Sequence, residues 1–160
     1  MKIKATLLAL FFGGTLMVSC GGGDTANENA DDPTSYSEPE VEAPAANADP
    51  MANKGVGPIT SVEIAEEIDP ALAAQGEELF TVKCTACHKI ESRYVGPALK
   101  GVTQKQSPEW IMNMIMAPEK MVAEDPVAKA LLAEFLAPMA NQSITEEEAR
   151  ALYEYFRTQN

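Results

Sequence analysis

Two cysteines and a histidine near the middle of the chain could together do covalent and metal chemistry. They stand in the pentapeptide Cys84-Thr85-Ala86-Cys87-His88. Two thiols at this spacing can add to the two vinyl groups of a haem, while the adjacent imidazole reaches the iron. The pattern therefore predicts that one haem c is attached covalently at Cys84 and Cys87 and that His88 binds its iron.

A CxxC pair has two other uses, as a redox-active dithiol or as half of a zinc site. A thioredoxin-like dithiol would need a βαβ unit, and the sequence has no such pattern. A zinc site would need two further ligands, but His88 is the only histidine of the chain. Haem attachment is therefore the favoured interpretation of this cluster.

The residues before the cluster resemble class I monohaem cytochromes c. Gly76-Glu77-Glu78-Leu79-Phe80 precedes Cys84 as a glycine and an aromatic residue precede the haem motif in that family. The resemblance implies a small cytochrome c fold of about four helices around one covalently attached haem, over residues 69–160. It also implies that Gly76 and Phe80 pack against the C-terminal helix. The matching partners there are Leu152, Tyr155 and Phe156.

The segment Val95-Gly96-Pro97-Ala98-Leu99 is similar to the one that follows the haem motif in the same family. A proline carbonyl in that segment accepts the second ring proton of the proximal histidine. The resemblance gives this role to Pro97, where the bond would fix the tautomer of His88 and raise its basicity as a ligand. Taken alone, a Gly-Pro pair predicts only a turn.

The composition leaves the second axial ligand of the iron open. Without a second histidine, it would be methionine, lysine, water or nothing. The domain offers five methionines: Met112, Met114, Met116, Met121 and Met139. The first three lie in a predicted helix, where methionine most often fills the core, and Met121 follows Pro118 in a predicted connector and is the reserve candidate. Pro138-Met139 resembles the methionine loop of class I cytochromes c, which implies that Met139 binds the iron.

Three further side chains are candidates for binding the haem propionates. An indole N–H or a guanidinium is a natural partner for a buried carboxylate. Trp110 and the Arg93-Tyr94 pair could therefore hydrogen-bond the propionates. The alternative for Trp110 is a structural role as an anchor of the core.

Helix-start signals recur from residue 69 onward. Asp69-Pro70, Ser107-Pro108 and Asp125-Pro126 each place a capping side chain before a proline at the first helical position. Residues 145–148 form a capping box, and Ile144 and Ala149 are spaced for a hydrophobic staple. Apolar residues recur at helical spacing without alternation of period two, so the domain is predicted to be all-α.

The N-terminal part of the chain has a different character. Residues 1–19 combine two lysines with a short apolar stretch, which is typical of a signal peptide and too short for a transmembrane helix. Residues 17–21 resemble a bacterial lipoprotein box of the Bacteroidetes group, which implies that Cys20 is lipidated; the alternative is an ordinary cleaved leader. Residues 20–68 are rich in acidic residues, Asn, Ala and Pro, and are predicted to be a disordered tether.

The charge distribution bears on partners. The net charge is −12, and residues 21–70 hold twelve acidic residues against one basic residue, whereas residues 71–160 hold twelve against nine. Such a surface argues against nucleic acid as a partner. We expect redox partner proteins, attachment to the periplasmic side of a membrane through Cys20, and a monomer.

These features predict a single-electron carrier rather than an enzyme. Histidine and methionine together favour reduced iron, whereas an open sixth position would bind oxygen or peroxide. A haem enzyme or small-gas sensor with a labile sixth ligand is the alternative. Residues 108–115 and 124–129 resemble small cytochromes of nitrous oxide reductase systems. The resemblance implies that reductase as electron acceptor, and a terminal oxidase is the other acceptor considered.

Overall fold

The computed structural model describes residues 49–160, which form five α-helices joined by loops. The helices are α1 (Pro70–Lys83), α2 (Pro108–Met116), α3 (Pro118–Glu124), α4 (Pro126–Phe135) and α5 (Glu146–Arg157). Two short 3₁₀ turns span Pro50–Ala52 and Val102–Gln104. Residues 49–160 contain no β-strand, so the predicted all-α fold is confirmed. Within the same residues, no helix is long and apolar enough to cross a membrane.

The four predicted helix starts are all present, and each is capped by the expected side chain. Asp69, Ser107 and Asp125 accept hydrogen bonds from backbone N–H groups in the first turns of α1, α2 and α4. At α5, Thr145 and Glu148 form both halves of the capping box. These contacts satisfy backbone donors that have no partner within the helix. Local sequence therefore decided where these four helices begin.

Helix α3 is additional to the helices that the sequence predicted. It begins at Pro118, but the preceding Ala117 has no side chain that can cap a helix. Without a capping signal, the segment was expected to be a connector. Met121 consequently lies in a helix, and its side chain is completely buried.

Helices α1 and α5 cross closely and form the centre of the core. A Cβ atom on Gly76 would overlap the backbone carbonyl of Ala151, so the two backbones approach each other where a side chain cannot fit. Beside this contact, the ring of Phe80 lies 5.4 Å from that of Tyr155 and 6.0 Å from that of Phe156. The predicted packing of the helix before the haem motif on the C-terminal helix is thus present.

The end of the predicted tether packs against the helices, which corrects the predicted domain boundary at residue 69. We call residues 53–68 the strap. Ile59 is buried in the core, and Val56, Val62 and Ile64 pack against it partly buried. The folded part therefore includes the strap. The predicted signal peptide, Cys20 and the predicted tether up to residue 48 lie outside the described residues.

Polar side chains of the helices hold the strap by its backbone. The Asn113 amide donates to the carbonyls of Lys54 at 3.0 Å and Ile59 at 2.8 Å, and its oxygen accepts from the Ile59 N–H at 2.9 Å. On α5, Arg150 and Arg157 donate to strap carbonyls. The buried carboxyl of Glu154 lies between these two arginines and orients both. The strap is therefore fixed by hydrogen bonds that its own composition does not reveal.

Candidate haem site

The cysteine and histidine side chains follow directly after α1, in a tight turn. The backbone N–H groups of Cys87 and His88 both donate to the carbonyl of Cys84, at 3.0 and 2.9 Å. No disulfide joins Cys84 and Cys87; Cys84 is half-buried and Cys87 is exposed. Burial raises the pKa of the Cys84 thiol, and the Lys83 ammonium partly offsets this effect.

The imidazole of His88 is held by the segment that contains Pro97. His88 Nδ1 lies 3.1 Å from the carbonyl oxygen of Pro97. A carbonyl only accepts hydrogen bonds, so this contact places the ring proton on Nδ1 and leaves the Nε2 lone pair free for a metal ion. Gly96 allows the approach, because a Cβ atom there would stand 2.5 Å from His88 Cε1. Two cysteine side chains beside an imidazole with an unprotonated Nε2 fit the covalent attachment and iron binding of haem c.

Met139 lies in the loop between α4 and α5, where its sequence context placed it. Its side chain is half-buried and packs against the hydrophobic core. Asn141 holds the loop from the other side, because its amide donates to the Met116 carbonyl at 3.3 Å and to the Glu119 carboxyl at 3.2 Å. Sequence reasoning missed Asn141. The only available signal was the Asn-x-Ser pattern, which forms a local turn here through a bond from Ser143 N–H to Asn141 Oδ1.

The other methionines of the domain are engaged elsewhere. The sulfur of Met121 accepts a hydrogen bond from the Val56 N–H of the strap at 3.0 Å. Gly55 makes this contact possible, since a Cβ atom on it would stand 2.7 Å from the same sulfur. Met112 is fully buried, as expected of core methionine. Met114 and Met116, also in α2, pack partly buried against the core.

The indole N–H of Trp110 has a hydrogen-bond partner within the protein. The side chain is 4% exposed, and its Nε1–H donates to Asp125 Oδ1 at 3.1 Å. The other oxygen of Asp125 accepts from the Asn53 amide at 2.8 Å. This arrangement favours the core-anchor interpretation of Trp110 over a propionate contact. Asp125, which the sequence identified only as a helix cap, links the strap, α2 and α4.

Arg93 and Tyr94 also have partners within the protein. Arg93 Nη1 pairs with Glu134 Oε1 at 3.1 Å, and the guanidinium lies 4.1 Å above the centre of the Phe135 ring. Tyr94 is half-exposed, and its ring lies under the Lys89 ammonium at 4.4 Å. The structure therefore brings Arg93 to the end of α4, a contact that the sequence did not predict.

The family follows from a comparison of the chain with known proteins. Residues 73–160 match the family model described as cytochrome c. The chain belongs to the cytochrome c family. As a class I monohaem cytochrome c, it binds one covalent haem c, for which Cys84 and Cys87 form the attachment motif. Membership supports the role of a haem c electron carrier.

Individual relatives of this cytochrome agree with the family match. The chain is 37% identical to cytochrome c-551 of Ectopseudomonas mendocina over 86 residues. The matched residues make up 53% of this chain and 98% of that protein. Cytochrome c-551 of Stutzerimonas stutzeri is 34% identical over 99 residues, or 61% of this chain and 89% of that protein. A solved structure of cytochrome c from Rhodothermus marinus superposes with a TM-score of 0.63 at 45% identity, covering 64% of this cytochrome and 88% of the other.

Proposed function

We propose that this cytochrome is an extracytoplasmic single-electron carrier in which His88 and Met139 are the two axial ligands. When bound, haem c supplies an iron that gains and loses one electron. The chain would hold the haem through Cys84 and Cys87, and His88 and the thioether of Met139 would bind its iron. A carrier of this kind takes an electron from one protein and gives it to another, and it makes and breaks no bonds in a substrate.

The hydrogen bond between His88 and Pro97 supports the first ligand. Holding the proton on Nδ1 keeps Nε2 deprotonated and makes it a stronger donor. Gly96 packs directly against the imidazole ring, so this contact and the hydrogen bond together fix the plane of the ring. Little reorganisation of the protein is then needed when the electron arrives or leaves.

The hydrogen bond to the Met121 sulfur is the observation that supports Met139 as the second iron ligand. The Met121 sulfur is occupied by a backbone N–H of the strap, and the side chain is fully buried. Of the α2 methionines, Met112 is fully buried, whereas Met114 and Met116 pack partly buried against the core from a helix. Met139 instead lies in a loop whose preceding residue, Pro138, restricts the backbone. If His88 and Met139 both bound the iron, oxygen or peroxide would find no open site, and electron transfer would be favoured over catalysis or gas sensing.

The optical spectrum of the haem-bearing protein tests the ligation. Methionine sulfur on ferric iron gives a weak charge-transfer band at the red end of the spectrum. We expect the wild type to show this band and Met139→Ala to lose it. Met121→Leu is the matched control, because it removes a thioether while keeping its volume, and it should retain the band. A wild type without the band whose reduced form binds carbon monoxide at once would refute the carrier in favour of a ligand-binding protein.

Cellular placement is the second part of the proposal. The leader and lipoprotein-box resemblance support a monomeric periplasmic lipoprotein anchored through Cys20. Its electron acceptor would be a periplasmic reductase such as nitrous oxide reductase, or a terminal oxidase. With the strap, residues 53–160 hold sixteen acidic and ten basic residues, a net charge of −6. Stopped-flow oxidation by each purified acceptor would decide between them, and an acceptor slower than a non-physiological control protein would be excluded.

A further inference from the structure

We propose that Arg93 is a positioning residue that restrains the Met139 loop from the histidine side of the site. The inference rests on the proposed ligation by Met139. Arg93 lies between His88 and Pro97, in the segment that fixes the proximal imidazole. Its guanidinium reaches across to the end of α4, immediately before the methionine loop. Arg93 thus ties the segment that holds one axial ligand to the segment that holds the other.

Three contacts make up this link, which we call the Arg93 clamp. Nη1 donates to the Glu134 carboxyl at 3.1 Å, and Nη2 donates to the Glu134 backbone carbonyl at 3.3 Å. The guanidinium also stacks on the ring of Phe135, with 4.1 Å from its carbon to the ring centre. A planar guanidinium can make all three contacts at once, whereas an ammonium presents a single point of charge. The backbone contact matters most here, because it holds the main chain of α4 at its last turn.

The connection from the clamp to Met139 is short and stiff. Helix α4 ends with Leu136 in the left-handed region at φ +52°, where its N–H donates to the Leu132 carbonyl. Two residues follow, Ala137 and Pro138; the proline ring fixes its own φ and biases the residue before it toward extended backbone. Movement of the loop away from the site must therefore rotate the end of α4 or break the turn at Leu136. The clamp opposes the first of these movements.

Leu136 itself indicates that this loop geometry is maintained against its local preference. Its side chain is 84% exposed, and a leucine in the left-handed region is sterically unfavourable. Strained residues persist when the surrounding contacts determine their conformation. On the upstream side those contacts are the Arg93 clamp, and beyond Met139 the Asn141 amide restrains the chain. Met139 is thus held between two restraints, one on each side.

The test measures how readily an external ligand displaces Met139 from the haem-bearing protein. Imidazole is added to the ferric protein, and loss of the red charge-transfer band gives the apparent binding constant. We expect Arg93→Ala to bind imidazole about three- to tenfold more tightly than wild type, from the loss of a stacked cation and an exposed ion pair. Arg93→Lys should fall between the two. Urea unfolding followed by circular dichroism reports global stability separately.

Lys100→Ala is the matched control. Lys100 forms a similarly exposed ion pair with Glu91 at 3.0 Å in the same segment, and its ammonium donates to both oxygens of the Glu91 carboxyl rather than to α4. Lys100→Ala removes the same charge as Arg93→Ala but leaves the clamp intact, so its imidazole affinity should stay within about twofold of wild type. If Arg93→Ala will not mature, Arg93→Lys takes its place, because an ammonium cannot keep both Glu134 contacts and the stacking on Phe135, and it should still bind imidazole more tightly than wild type.

The outcomes separate this inference from the ligation on which it rests. If Arg93→Ala matches Lys100→Ala in imidazole affinity while wild type keeps the band, the clamp is refuted and Met139 ligation stands. If the affinity rises only in proportion to a loss of global stability, Arg93 is merely structural and the inference is also overturned. If wild type lacks the band, or Met139→Ala keeps it, the ligation proposal fails and the clamp fails with it.

Discussion

Asp125 and Trp110 should be energetically coupled in the haem-bearing protein. The carboxyl of Asp125 is 2% exposed and receives three hydrogen bonds: from the Trp110 indole at 3.1 Å, from the Asn53 amide at 2.8 Å and from the Ala128 N–H at 2.8 Å. The substitutions that test this junction are Asp125→Ala, Trp110→Phe and their combination. Each single change removes one partner of the indole–carboxyl bond.

The expected cost of Asp125→Ala follows from these contacts. Loss of the cap on α4 costs about 0.5–2 kcal/mol. The buried indole N–H then lacks an acceptor, which costs a further ~1–3 kcal/mol. The total is about 1.5–5 kcal/mol. Asp69→Ala is the control, because Asp69 caps α1 in the same way but is exposed and has only local partners, so it should cost only about 0.5–2 kcal/mol.

Urea unfolding of all four holoproteins gives the coupling energy. We expect the double variant to be less destabilised than the sum of the single variants by about 1.5–3 kcal/mol, the range for a hydrogen bond to a charged group. A haem propionate that took the indole N–H away from Asp125 would make the two substitutions independent. A coupling energy below about 0.5 kcal/mol would therefore refute the core role and restore the propionate contact.

Two other predictions concern the helix crossing and the strap. Gly76→Ala should destabilise the protein by about 1–3 kcal/mol, because the added Cβ meets the Ala151 backbone and overpacking outweighs the gain in helix propensity. Chemical denaturation measures the free energy of unfolding, and a variant more stable than wild type would contradict the prediction. Burial raises the pKa of Glu109, but its backbone hydrogen bond and Lys54 outweigh this, and the net pKa lies below the ordinary 4.5. The stabilisation from the Glu109–Lys54 pair is thus fully present above pH 4.5, the ordinary pKa of glutamate, and is lost as the pH falls through the lower pKa that Glu109 has in the folded protein. The stability difference between wild type and Glu109→Gln should shrink in that window, and a constant difference would show that the pKa is not lowered.

Capping side chains made four helices predictable, since a cap acts within one turn of the chain. Asp69, Ser107, Asp125 and Thr145 bond to backbone groups two or three residues away, so the sequence contains the whole interaction. Helix α3 lacked such a signal because Ala117 cannot cap it. Its α-helical state depends on burial of Met121, which only the folded neighbours provide.

The strap was misassigned because its stabilising contacts come from distant residues. The predicted tether, residues 20–68, is acidic as a whole and carries few large apolar side chains, which is typical of disorder, although Val56, Ile59 and Val62 of the strap are apolar. The strap backbone is nevertheless held by Asn113, Arg150 and Arg157, between 54 and 91 positions away. No composition rule can anticipate these bonds, because the partner that decides whether the strap folds lies in another helix.

The same difference between local and long-range contacts explains which parts of the site could be predicted. The sequence by itself determined the attachment motif of Cys84 and Cys87 and predicted His88 as the iron ligand, since all three lie within one pentapeptide, whereas the Pro97 contact was implied by the resemblance to class I cytochromes c. Tertiary structure decided which polar partners Trp110 and Arg93 meet, because a donor takes whichever acceptor the packing brings within hydrogen-bond distance. It also decided that the Met121 sulfur is occupied, through a strap residue 65 positions away in the chain.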